Sequence, residues 1–235
     1  MEYRADVVWF TSGQSKNNDW ELRYSLRSVA ANLLDIGSVY LIGPKPDFVQ
    51  KVFHIPFDDE PTANKDRNLI QKLVYLSGER QLTEAFVIMS DDHFLMQPIC
   101  HYNMLPYVEC VDSCYTRDRL WQRRFLRTQS LMKRLGKSQH NFDTHVPHVV
   151  EKQKCRELLK YNFDGTGLTC FSYYFNLHGA EPAAITPEIR LDARRNGWTQ
   201  RGDEDYAVCN DSTLKDNRFK DMIESRFKIK SIYEK

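Results

Sequence analysis

The 235-residue chain contains no long apolar run. None approaches the roughly 20 residues that a membrane helix needs, so a spanning segment is not expected. Nor does it carry an excess of charge. Lys and Arg number 33 against 32 Asp and Glu, a formal net charge of +1. That excludes a protein that attracts nucleic acid through its overall field, and any basic surface has to be local. A Cys-x-x-C pair is also lacking. The six cysteines fall at Cys100, Cys110, Cys114, Cys155, Cys170 and Cys209. Only Cys110 and Cys114 are close, and free buried thiols are expected rather than a zinc centre or a disulfide framework. Glu2 and Asp6 precede the first apolar run, unlike a secretory signal. A cytoplasmic protein is the expectation. No internal repeat, low-complexity tract or linker interrupts the chain, so one domain is expected over residues 1–235.

What is present alternates between β and α patterns. Asp6-Val7-Val8-Trp9-Phe10-Thr11 reads as a strand, and a polar turn over 12–18 follows it. Asp19 is placed to cap a helix over 20–34, in which Leu22, Leu26, Val29 and Leu33 recur at helical spacing. Strands follow over 38–42 and 52–55, then a helix over 66–77 with Leu69, Ile70, Leu73 and Leu76 inward. Ala85-Phe86-Val87-Ile88-Met89 is apolar throughout, as in a strand buried on both faces. This order predicts an α/β fold with a mainly parallel, doubly wound sheet. Residues 117–137 form a basic, helical segment, with Arg117, Arg119, Arg123, Arg124, Arg127, Lys133, Arg134 and Lys137 against Asp118 alone. Helix is also predicted from about 149 and over 213–227.

In open α/β sheets, ligands sit beyond the carboxyl ends of the strands. Two polar clusters follow strands directly, so both are expected on one rim. The first includes Thr11, Ser12 and Gly13. The second is Asp91-Asp92-His93. Adjacent carboxylates at a strand end repel each other unless a cation neutralises them. Mg²⁺ or Mn²⁺ suits hard oxygen ligands and also bridges a diphosphate. The plainer reading of a bare Asp-Asp is a solvated turn; the buried strand before it favours a site. Asp92 is the leading ligand, with Asp91 and His93 beside it. Asp143 and His145-Val146-Pro147-His148 form a further cluster, in which a His can act as base, phosphate partner or metal ligand. Lys65 and Arg67, at a helix start, and Arg23 on the first helix are candidate phosphate contacts.

These segments together resemble the Stealth family, which includes the lysosomal-enzyme GlcNAc-1-phosphotransferase and bacterial capsule-polymer phosphotransferases. The likeness rests on Asp6-Val7-Val8-Trp9 followed by Glu21-Leu22-Arg23-Tyr24-Ser25-Leu26-Arg27-Ser28. It continues through 86–95 with the Asp-Asp pair, His145-Val146-Pro147-His148-Val149, and Asn210-Asp211. The resemblance implies a GT-A-like fold and a nucleoside-diphosphate (NDP) sugar as donor, with a sugar or sugar-1-phosphate passing to a hydroxyl acceptor. Two positions depart from the pattern. Thr11-Ser12-Gly13-Gln14-Ser15 stands where Gly-Ser-Asp is expected. Residues 164–169 lack the expected Arg, which leaves ordinary glycosyl transfer open. The acceptor is expected to be a glycan or other hydroxyl compound. A hydroxymethylated DNA base, as for glycosyltransferase-type products of bacteriophage genomes, is the alternative. A non-catalytic nucleic-acid-binding accessory protein is the competing class. Oligomeric state is not legible.

Overall fold

The computed structural model describes residues 4–13, 17–61, 65–108, 119–160, 167–183, 188–192, 197–199, 204–209 and 213–235. The leading half follows the expected alternation. Strand β1 (Ala5–Phe10) leads to helix α1 (Trp20–Asn32), and β2 (Ile36–Ile42) and β3 (Phe53–Ile55) follow. Helix α2 (Lys65–Leu76) then leads to β4 (Ala85–Ser90). Past the acidic pair come β5 (His93–Leu95), α3 (Arg119–Arg134), β6 (His148–Glu151), α4 (Lys152–Arg156) and α5 (Cys170–Leu177). The chain continues through β7 (Glu188–Asp192), β8 (Gly197–Thr199), β9 (Tyr206–Val208) and α6 (Asn217–Arg226).

The principal sheet has the order β3-β2-β1-β4-β6. Its first four strands run parallel, and β6 lies antiparallel to β4. Alternation along β1 explains how the sheet is covered. Val8 and Phe10 point into a core shared with Ile70 and Leu73 of α2 and Tyr173 and Tyr174 of α5. Val7 and Trp9 point the other way, onto Leu22, Leu26 and Val29 of α1. The central strands are therefore buried on both faces, which is why they read as unbroken apolar runs. A smaller sheet, ordered β5-β9-β7-β8, opens just past the acidic pair. Phe94 and Ala207 from it pack on Phe219 and Ile223 of α6. Among the described residues no helix is long and apolar enough to cross a membrane.

Two local expectations need correction. The region from 149 begins as strand β6, and helix starts only at Lys152. Val149 and Val150 are drawn into the ladder opposite Val87 and Phe86, which tertiary pairing decides and local pattern does not. Asp19 precedes α1 but makes no side-chain cap, because its own backbone is left-handed, with φ 55° and ψ 29°. The smaller sheet was not anticipated at all.

Candidate functional site

The register of the sheet decides where the candidate residues lie. Phe10 pairs with Ser90, so the chain leaves β1 and β4 at the same edge. Strand β6 runs the other way, with His148 opposite Ile88, so residues 143–147 enter from that edge too. Helices α1 and α2 follow β1 and β3 and begin on the same side. One rim therefore gathers Thr11, Ser12, Gly13, Lys65, Asp66, Arg67, Asp91, Asp92, His93 and His145.

The first loop is held rigidly. Thr11 donates its hydroxyl to Pro44 O at 2.8 Å and accepts at its carbonyl from Lys72 Nζ at 3.0 Å. Lys72 is almost wholly buried and reaches Asp59 at 2.8 Å. A β-carbon on Gly43 would stand 2.2 Å from Thr11 O. Thr11 thus spends its polar atoms on shaping the rim, while Ser12 and Gly13 face solvent. Lys65 is exposed at the head of α2, and Arg67 pairs with Glu60 at 2.9 Å. Arg23 turns toward the C-terminal segment. Its guanidinium lies 3.7 Å from the centre of the Phe48 ring and 3.8 Å from Glu234. A phosphate would have to compete with both contacts.

Asp91 and Asp92 form the turn between β4 and β5, both half-buried, with Cys209 N donating to Asp92 O at 3.2 Å. Burial, the neighbouring Asp92 and then Glu21 push the Asp91 carboxyl up to about 7. Burial likewise raises Asp92, partly offset by His145. Glu21, on the first turn of α1, accepts from Asn17 Nδ2 at 3.0 Å through Oε1. Its buried Oε2 has no hydrogen-bond partner. Negative charge here is desolvated, and among the described residues only His145 offsets it, at Asp92. No three His, Cys, Asp or Glu side chains among the described residues are gathered into a metal cage. Mg²⁺ does not require one. It is commonly held by one or two carboxylates, with water and substrate phosphates completing the shell. The acidic turn fits such an ion.

The histidines divide by environment. His93 is buried, and its Nδ1 accepts from Ser90 N at 3.3 Å. Burial, then His145, lowers it to about 3, so the ring is neutral. With Nδ1 accepting, the single ring proton sits on Nε2, 3.7 Å from Asp92 Oδ1. No lone pair remains for a cation. The expectation of His93 as a metal ligand is replaced by that of a neutral support for Asp92. His148 is also buried, and its ring lies 3.9 Å from that of Phe171. Burial, then His93, lowers it to about 3, so it cannot serve as a cationic phosphate partner near neutral pH. Its Nε2 lies 3.3 Å from Thr144 O, while its Nδ1 and the Thr144 hydroxyl are buried without partners. His145, between them, is exposed.

The arginines of α3 do not share one face. Arg124 turns inward to Asp66 at 2.9 Å, whereas Arg123 is exposed. Arg117, the side chain of Arg119, Cys110, Cys114 and Asn210-Asp211 lie outside the described residues. Glu21 and Lys72 are site components that the sequence reading did not single out for chemistry, and the contact of Asp143 with the start of α5 was not legible there. Glu21 lay within the motif but carried no spacing signal of its own.

No protein-family model matches the chain, and no curated protein matches its sequence.

Proposed function

We propose that the chain is a transferase that moves a sugar, or a sugar-1-phosphate, from a nucleoside-diphosphate sugar to a hydroxyl acceptor. The observation that carries this reading is the acidic turn: desolvated carboxylates at the carboxyl rim of a mainly parallel sheet, with His145 alongside. Such a rim is where α/β sheets bind nucleotides. The GT-A-like architecture and the likeness to the Stealth family belong to this proposal and support it from the motifs. Asp92, with Asp91, would hold Mg²⁺ or Mn²⁺, and that ion when bound supplies positive charge for the departing phosphate.

The remaining roles fall to the chain's own side chains. Lys65, exposed at the head of α2, meets donor phosphate. Ser12 and Gly13 offer an open loop beside it. His145 is the exposed imidazole whose charge is felt at Asp92, so it takes the acceptor proton or pairs with phosphate. His148 stays neutral and presents a buried Nδ1 lone pair. Glu21 adds to the negative potential that favours a cation.

A glycan-type hydroxyl is the favoured acceptor. The modified-DNA alternative asks for arginines aligned along one face, and Arg124 is committed to Asp66. The accessory-protein reading gives no account of the desolvated carboxylates. A panel of UDP- and GDP-sugars incubated with Mn²⁺ tests the proposal through slow donor hydrolysis. Asp92→Ala should abolish metal-dependent turnover with the fold retained. Full activity in that variant, or no turnover of any donor by the wild type, sinks the reading.

A further inference from the structure

The segment that carries His145 is irregular yet buried over much of its later part. Residues 137–147 have no helix or strand, but Asn141, Phe142, Thr144, Val146 and Pro147 are all buried. A buried coil keeps one shape only if its polar groups have specific partners. Helix α5 supplies them. Asn176 Oδ1 accepts from His140 N at 2.9 Å, and its Nδ2 donates to His140 O at 2.8 Å. Ser172 Oγ accepts from Phe142 N at 2.9 Å.

Asp143 closes this clamp. Its carboxylate accepts from Phe171 N at 3.0 Å and Ser172 N at 3.4 Å, the free donors of the α5 first turn, and from the Ser172 hydroxyl. Asp66 takes the adjacent donor, Cys170 N, at 3.2 Å and is itself tied to Arg124. Beyond the histidine, a second clamp begins at His148, which is paired in β6 and stacked on Phe171. The same Phe171 thus joins both clamps, through its N–H to Asp143 and through its ring to His148. Only residues 144–147 span the gap between them, and His145 is the exposed apex.

We infer that Asp143 is a positioning residue that sets His145 against the acidic turn by fixing this loop to the start of α5. The inference rests on the transferase reading for its catalytic consequence, but the clamp itself can be tested without activity. The experiment compares Asp143→Ala, Asp143→Asn and Ser172→Ala with the wild type. One readout is the kcat and KM for the donor; the other is the imidazole signals of His145 in heteronuclear NMR spectra of the donor-free protein. Asp143→Ala is expected to lower kcat by roughly 10- to 100-fold, as for a displaced catalytic group, with donor KM changed by about threefold or less. The His145 signals should move. Asp143→Asn, whose amide oxygen can still accept from Phe171 N, should restore the His145 signals and most of kcat.

If Asp143→Ala folds with kcat within about twofold of wild type and unmoved His145 signals, the inference is overturned. Should Asp143→Ala fail to fold, Ser172→Ala takes its place, since it removes the hydroxyl that donates to Asp143 and accepts from Phe142 N. Ser172→Ala is then decisive: His145 signals that move support the inference, and signals that stay unmoved overturn it. Failure of the underlying reading looks different: the wild type would turn over no donor while the His145 signals still respond to Asp143→Ala.

Discussion

Asp91→Asn should stabilise the cation-free protein at pH 8. In the unfolded chain an Asp titrates near 3.9, whereas in the fold the Asp91 carboxyl is pushed up to about 7 by burial, by Asp92 and by Glu21. The difference is about 3 pH units, and each is worth about 1.4 kcal/mol. An ionised Asp91 therefore opposes folding by up to about 4 kcal/mol, and about 2–4 kcal/mol after relaxation of a half-buried turn. Its carboxylate accepts from the backbone N–H groups of its own turn, an interaction that an amide oxygen can keep. Relief of the charge should raise Tm by about 4–16 °C in a chain of this size.

The sign with pH is specific. A carboxyl whose folded pKa is raised binds its proton more tightly when folded, so the wild type gains stability from this group as pH falls from about 8 toward 4. Asp91→Asn lacks that gain, and its advantage should shrink over the same range. Differential scanning fluorimetry in chelator at pH 8 and pH 5 measures both effects. Adding Mn²⁺ at 100 times its Kd should return about 2.7 kcal/mol to the wild type, and much less to the variant. If Asp91→Asn lowers Tm at pH 8 in chelator, the carboxylate has a stabilising partner in the fold. The reasoning from unmet charge then fails.

Other perturbations address the scaffold. Arg27→Ala should cost about 3–5 kcal/mol, read by urea unfolding, because it strands Glu234 in the interior without the 2.8 Å and 2.9 Å bonds it now accepts. Burial alone would raise Glu234, but Arg27 and Ser231 hold it below its ordinary value. Its stabilisation is thus present above the unfolded pKa near 4.3 and is lost as pH falls through the lower folded value. His148, lowered to about 3, responds to acid in the same direction although it is a base. The unfolded chain takes the proton first, so stability drops as pH falls from about 6.5 toward 3, and His148→Asn should flatten that slope in a Tm-versus-pH series. Gly43→Ala should destabilise by more than about 3 kcal/mol or fail to fold, since the backbone there has φ 118° and the new β-carbon meets Thr11 O; a soluble variant of wild-type Tm would contradict the described rim.

The elements that could be read from the sequence are those whose own residues carry the pattern. Strands β1 and β4 are apolar at every central position because both faces are covered. Helix α2 shows its inward stripe because Ile70, Leu73 and Leu76 all meet one core. Strand β6 carried no such signal. Four residues, His148 to Glu151, run straight into Lys152–Arg156, and what makes them a strand is the open edge of β4. Strands β5, β8 and β9 have three residues each, too few to display a period of two. The basic segment was legible as a helix, yet its arginines could not be sorted in advance. Nothing local to Arg124 announces Asp66, 58 residues away, as its partner.

The site was legible in its chemistry and illegible in its balance. Adjacent carboxylates after a buried strand are a visible oddity, and so is a paired histidine motif. Whether such groups are charged, neutral, paired or stranded depends on neighbours that converge only in the fold. His93 and His148 are a case in point. Both are neutral and buried, so the two act as supports, and His145 is the exposed imidazole of the motif. Glu21 makes the complementary point. Its Oε1 is satisfied by Asn17 while Oε2 is buried without a partner, an expense with no structural return. Together with the raised Asp91 and Asp92, it concentrates desolvated negative charge at the carboxyl rim. The buried Lys72 of the rim scaffold has its ammonium held by Thr11 O and Asp59. Among the described residues, His145 alone is felt as positive charge at Asp92, and it is this imbalance on which the proposed cation-dependent transferase rests.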